Sequence, residues 1–144
     1  YQFDKGENRM QESIRHAEQL LEKAEVVTLA VNGEDGCPRA YVMTKLPGES
    51  IRVFPFLAKE GSEKVRALEK DPRACVSYFA PGGSVSLTGT VQLIRESSAL
   101  RELWVPELDR IFPMGPESGE LVLIRFESRA ATFCFMGKVE EQPL

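Results

Sequence analysis

Histidine is nearly absent from this chain: His16 is the single one in 144 residues. That excludes a His-rich metal site and leaves a Ser-His-Asp or Cys-His apparatus one candidate base. Cysteine is sparse as well. Cys37, Cys75 and Cys134 lie far apart and no C-x-x-C pair occurs, which excludes zinc-knuckle and thioredoxin-type motifs. An odd, scattered count is no disulfide framework and points to a reducing cytoplasm; all three are expected to be small packing residues. There is no basic run, and the formal net charge is −4, so nucleic acid is not an expected partner. No apolar run approaches the ~20 residues that span a bilayer. The opening Tyr1-Gln-Phe-Asp-Lys5 is polar, unlike a signal peptide, so no membrane association is expected. The P-loop, G-x-G-x-x-G, H-E-x-x-H and G-x-S-x-G patterns are also missing.

The composition is globular, with 42% apolar and 28% charged residues. One domain over residues 1–144 is expected, large enough to bury roughly 70% of its unfolded surface. Residues 8–24 read as a helix: Met10, Ile14, Ala17, Leu21 and Ala24 recur at spacings of three and four, and Asn8 can cap it. His16 falls beside that stripe and is expected on the solvated surface. The period then changes to two. Strands are expected at 26–31, 38–46 and 50–57, joined by turns at Asn32-Gly-Glu-Asp-Gly36 and Pro47-Gly48. Turns this short imply an antiparallel meander. Ser62 can start a short helix carrying Val65 and Leu68, which Asp71-Pro72 ends. Strands follow at 73–80 and 84–95, the second with Gly89 as a candidate bulge. A helix over 98–104, a Pro/Gly-rich loop over 112–119, two strands around a Ser128-Arg129 turn and a frayed tail over 137–144 complete the chain. The expected fold is mainly β: six or seven antiparallel strands over about 25–136 with about three helices, favouring a closed barrel.

One constellation suggests chemistry. Arg39 and Lys45 flank the second strand, and Lys59, Gly61, Ser62 and Lys64 surround the start of the short helix. A helix N-terminus with a hydroxyl and a nearby Lys is suited to a phosphate. Lysine is unfavourable in a first helical turn, so Lys64 there fits an anion partner, with Arg39 able to add a bidentate contact. Glu60 and Glu63 stand in the same cluster and can neutralise it.

Gly36-Cys-Pro-Arg-Ala-Tyr-Val-Met43, Ile51-Arg-Val-Phe-Pro-Phe56 and Gly61-Ser-Glu-Lys-Val-Arg-Ala-Leu-Glu-Lys-Asp-Pro-Arg-Ala74 follow one another in this chain. With Ser84-Val-Ser-Leu-Thr-Gly-Thr-Val91, Leu103-Trp-Val-Pro-Glu-Leu108 and Phe112-Pro-Met-Gly-Pro116, they make the sequence resemble the pyridoxamine 5'-phosphate oxidase-like family, in its bacterial general-stress-protein branch. The resemblance implies a split β-barrel, a homodimer and FMN at the subunit interface, with FAD or a deazaflavin as alternatives. It implies that Arg39, Tyr41, Val42, Met43 and Thr44 run along the flavin and its phosphate. It further implies that Leu57 and Ala58 line the cofactor, that Ser62 and Lys64 grip the phosphate, and that Ser84 approaches the ring system. Three positions depart from the family pattern. Glu63 stands where authentic oxidases have a phosphate-binding Arg, Tyr41 where many general-stress relatives have Arg, and Thr44 where the oxidases have Lys. Lys45 is one residue late, and in a strand that turns it to the other face.

The expected function is therefore an FMN-dependent oxidoreductase acting on a small molecule the sequence does not identify. Pyridoxamine phosphate oxidation is not expected, because the chain lacks the extended arm of the true oxidases. The alternatives are a non-catalytic flavin- or haem-type binding protein and a cofactor-free dimeric relative. Trp104, at helical spacing with Leu100 and Leu103, reads as packing or as an interface aromatic.

Overall fold

The computed structural model describes residues 5–47 and 50–144. The reading of residues 1–4 as no signal peptide, and Gly48 of the expected Pro47-Gly48 turn, lie outside the described residues. The elements in order are α1 (Lys5–Lys23), β1 (Val26–Asn32), β2 (Pro38–Thr44), β3 (Val53–Lys59), α2 (Glu63–Lys70), β4 (Arg73–Ala80), β5 (Gly83–Ile94), α3 (Ser97–Leu103), α4 (Leu108–Ile111), β6 (Leu121–Phe135) and β7 (Lys138–Pro143). The seven strands form one sheet, in the order β2-β1-β4-β5-β6-β3 with β7 on β6, and every pairing is antiparallel.

The sheet curls around a core of Leu29, Val76, Val85, Leu87, Phe56, Ile124, Phe126 and Phe133, into which α1 inserts Ala17, Leu20 and Leu21 and α2 inserts Val65 and Leu68. Alternation of apolar residues in β1, β4 and β5 produces the inward face. A second cluster, Leu46, Leu57, Leu100, Leu108, Leu121 and Leu123, packs α3 and α4 on the opposite side of β3 and β6. Both strands are thus buried on two sides, which explains their near-continuous apolar runs.

The first three strands are not a meander. β2 pairs with β1, but β3 crosses to β6, aligning Val53 with Glu127 and Lys59 with Leu121. The link over residues 45–52 is long enough for this because the strand starts at Val53 rather than at residue 50. Fully buried Ile51 anchors it, and its carbonyl accepts from the Ser128 hydroxyl. Strands β2 and β3 end the path without bonding to each other, so the barrel is split rather than closed.

The expected Ser128-Arg129 turn is also absent. β6 is one strand of 15 residues, and its register against β5 shifts between Thr88 and Gly89, leaving Arg129 as the extra residue of a bulge. At that bulge the partner on β6's other edge changes from β3 to β7. Residues 138–143, expected to fray, form β7. Its polar residues sit well on an edge because ladder bonds come from the backbone, whatever the side chains.

His16 is half-buried, not solvated: its ring lies 4.1 Å from that of Phe135. Cys37 is exposed in the β1–β2 turn, while Cys75 and Cys134 are half-buried on the sheet's outward face. Two rows cross that face, Thr44, Val26, Phe79, Ser84 and Cys134, then Val42, Thr28, Ser77, Ser86 and Thr132. Neither contains a charge as far as β6; on β7 the first continues to Val139 and the second to Glu141. Among the described residues, four of the six exposed large apolar side chains, Val26, Val42, Phe79 and Val139, lie on this face.

Candidate functional site

The seam between β2 and β3 holds a cavity of about 330 Å³. Val42, Met43 and Thr44 form one wall and Leu57, Ala58 and Lys59 the other. Ser62 and Lys64 close one end, at the start of α2, and Leu46 and Phe112 add apolar surface. A larger groove of about 580 Å³ lies on the outward face along Ala30, Cys75 and Thr88, away from these groups.

The helix start is shaped by a tight turn. The Ser62 N–H donates to the Lys59 carbonyl at 3.2 Å, and Gly61 between them has φ +79°, where a Cβ would be strained. Ser62 occupies the N-cap position with extended backbone, yet its side chain makes no cap hydrogen bond. Its Oγ is buried and has no partner among the described residues. Buried hydroxyls normally have one. The first N–H groups of α2 have no intrahelical acceptor either. Together they form a set of donors free to bond at one end of the cavity, a chemistry that fits a phosphate.

The surrounding charges are partitioned. Glu60 is taken by Arg95, at 2.7 and 3.0 Å, and that guanidinium holds its carboxyl below the usual range. Glu63 Oε1 accepts from Arg39 Nε at 3.2 Å and from the Tyr41 hydroxyl at 2.7 Å. Burial, then Glu63, pushes the Tyr41 phenol up. Arg39 also bonds Asp35 at 2.9 Å. The Asp35 carboxyl is lowered by the Cys37 backbone N–H first and by Arg39 second. Lys64 Nζ lies 4.8 Å from the Tyr41 ring centroid, a cation–π contact. Neither Lys59 nor Lys64 forms an ion pair with a described residue.

Of the ten residues singled out in the sequence, seven (Val42, Met43, Thr44, Leu57, Ala58, Ser62 and Lys64) meet at this cavity. Arg39 and Tyr41 stand beside it, joined to α2 through Glu63. Ser84 does not join them: it is on β5, on the outward sheet face that also carries Val42 and Thr44. Leu46 and Phe112 were not singled out. Phe112 was legible as the start of a loop and of a stretch shared with the family, without a place at the site, and Leu46 only as the end of a strand.

Lys45 points away. Its ammonium bonds the carbonyls of Leu21 at 2.7 Å and Glu22 at 3.1 Å, capping the C-terminus of α1. Lys45→Met is expected to lower folding stability by about 1 kcal/mol, read from a urea unfolding midpoint. Trp104 packs on the second apolar cluster, and its indole N–H donates to Asp109 at 2.9 Å.

The sequence matches the family described as "Pyridoxamine 5'-phosphate oxidase like" over residues 12–135. The chain belongs to that family. No curated protein matches it. Among solved structures, the oxidase-like barrel here resembles a Clostridium acetobutylicum protein related to general stress protein 26. The two are 18% identical, with TM-score 0.84, covering 93% of this chain and 96% of that one. A haem binding protein from Mycobacterium smegmatis is 18% identical, with TM-score 0.72, covering 91% of this chain and 57% of that one. An F420 reductase is 20% identical, with TM-score 0.61, covering 79% of this chain and 94% of that one. These likenesses establish the split barrel that the oxidase-like family shares.

Proposed function

We propose that this chain is the subunit of a homodimeric FMN-binding oxidoreductase, with the flavin in the β2–β3 seam. The observation that carries the reading is the buried, unpartnered Ser62 Oγ beside Lys64 at a helix start, at one end of an apolar cavity. Ser62, Lys64 and the α2 N-terminus would hold the phosphate, and Met43, Leu46, Leu57 and Phe112 would exclude water around the ring. When bound, FMN supplies hydride transfer. The cavity lining contains no imidazole and no carboxylate, so the protein's part is to bind and orient. The F420 reductase and the haem binding protein of the same fold keep a deazaflavin and a haem in view as other ligands. His16, its ring tilted 41° to that of Phe135, is not in the lining.

The two rows that cross β2, β1, β4, β5 and β6 without a charged side chain support the dimer. Phe79 is 80% exposed and Val42 72%, large apolar side chains among uncharged hydroxyl residues, a surface that an interface would cover. Val42 and Thr44 border both this face and the cavity, and Ser84 lies on the face some strands away. A second copy packed there could bring its own Ser84 to the seam.

An FMN titration followed by visible absorbance tests the reading. A saturable spectral shift at micromolar FMN is the expected result; its absence overturns the proposal in favour of a cofactor-free dimer. Bound FMN that neither NADH nor NADPH reduces would favour a carrier.

A further inference from the structure

The carboxylate of Glu63 has an effect on this cavity that the flavin reading leaves out. It sits at the first turn of α2, between Ser62 and Lys64, and it holds Arg39 and Tyr41 through one oxygen. Arg39 is pulled the same way by Asp35. Arg39 with its two carboxylates therefore contributes net negative charge next to the phosphate position, although it brings a guanidinium to the site. Lys59 and Lys64 remain as the cations available to a ligand.

The geometry points to Glu63 as a positioning residue that weakens the hold on a doubly charged phosphate monoester, so that the flavin is an exchangeable ligand rather than a permanently bound one. Glu63 acts twice. Its own charge opposes a dianion, and its bond to Arg39 withholds a guanidinium that could otherwise turn to the phosphate. The ring end of the ligand is untouched, because Glu63 lies beside Ser62 at the start of α2 and not along the apolar lining. The effect should therefore depend on the phosphate and not on the flavin. This inference rests on the flavin reading above.

The test compares FMN with riboflavin, which lacks the phosphate, in titrations of the wild type and Glu63→Gln. Glutamine keeps the shape, but a neutral amide oxygen holds Arg39 more weakly than the carboxylate does, so the charge is removed and the guanidinium is loosened. FMN affinity is expected to rise about tenfold, the scale of one charge interaction near a protein surface. Riboflavin affinity should change by less than about twofold, within the noise of one weak contact. Adding Arg39→Met to Glu63→Gln should remove part of the gain. An unchanged FMN-to-riboflavin ratio in Glu63→Gln overturns the inference while leaving the flavin reading standing. A gain fully retained without Arg39 overturns the withheld-guanidinium part. If neither protein binds either flavin, the flavin reading falls and this inference with it.

Discussion

Gly89→Ala should be the most damaging single-methyl change in the molecule. A Cβ at Gly89 would lie 2.0 Å from the Glu127 carbonyl oxygen and 2.9 Å from its carbon. Both atoms are backbone, so no side chain can swing aside. Relief requires β5 and β6 to separate at the bulge, where Gly89 faces Ser128. Overpacking of side chains typically costs 1–3 kcal/mol. A clash with main chain in the two longest strands should cost about 3 kcal/mol or more, a large share of the 5–15 kcal/mol typical of a domain. Urea denaturation should show the midpoint falling with little change in slope. A loss below about 1 kcal/mol would mean that β5 and β6 do not have this register. The same variant should leave ligand contacts in the seam unaltered in any molecules that remain folded, because Gly89 is not part of that cavity.

Lys64→Glu separates binding from folding. The side chain lies over Tyr41 and borders the cavity beside the unpartnered Ser62 hydroxyl. Charge reversal removes a charge-assisted contact of roughly 1.5–3 kcal/mol and adds repulsion. FMN affinity should fall about 100-fold or more. Folding responds to opposed terms. Loss of the cation–π contact costs about 0.5–1 kcal/mol, and a carboxylate in the first turn of α2 returns about 0.3–1 kcal/mol. Thermal unfolding without ligand should therefore move little while FMN binding collapses. Unchanged FMN affinity would refute the phosphate grip.

The strands of the inward face were readable because each alternates in step with one buried surface. Gly89 was readable as a bulge because a glycine interrupts such a run. The course of β3 was not, because a short Pro-Gly turn suggests the neighbouring strand and says nothing of a crossing. Pro55 did carry a signal: proline is confined to edge strands, and a closed barrel has none. α4, with four residues, is too short for periodicity to reveal, and β7 lacks an apolar pattern. Ser62 and Lys64 were legible as a helix start. The Glu63 partnership was not. Arg39 and Tyr41 are 24 and 22 residues away on another element, so which cation each carboxylate neutralises is decided only when the fold brings the start of α2 within reach of β2's side chains.

The seam has one more consequence, for local motion. β4 and β5 are bonded on both edges, whereas β2 and β3 each have a bonded neighbour on one edge only. Backbone amides that open from a free edge do so at lower free energy than those at the centre of a sheet. The cavity is therefore walled on both sides by strands with a free edge, which open more readily than β4 or β5. A ligand clamped between them would act as a rivet, quieting fluctuations along a joint that the backbone leaves unsewn.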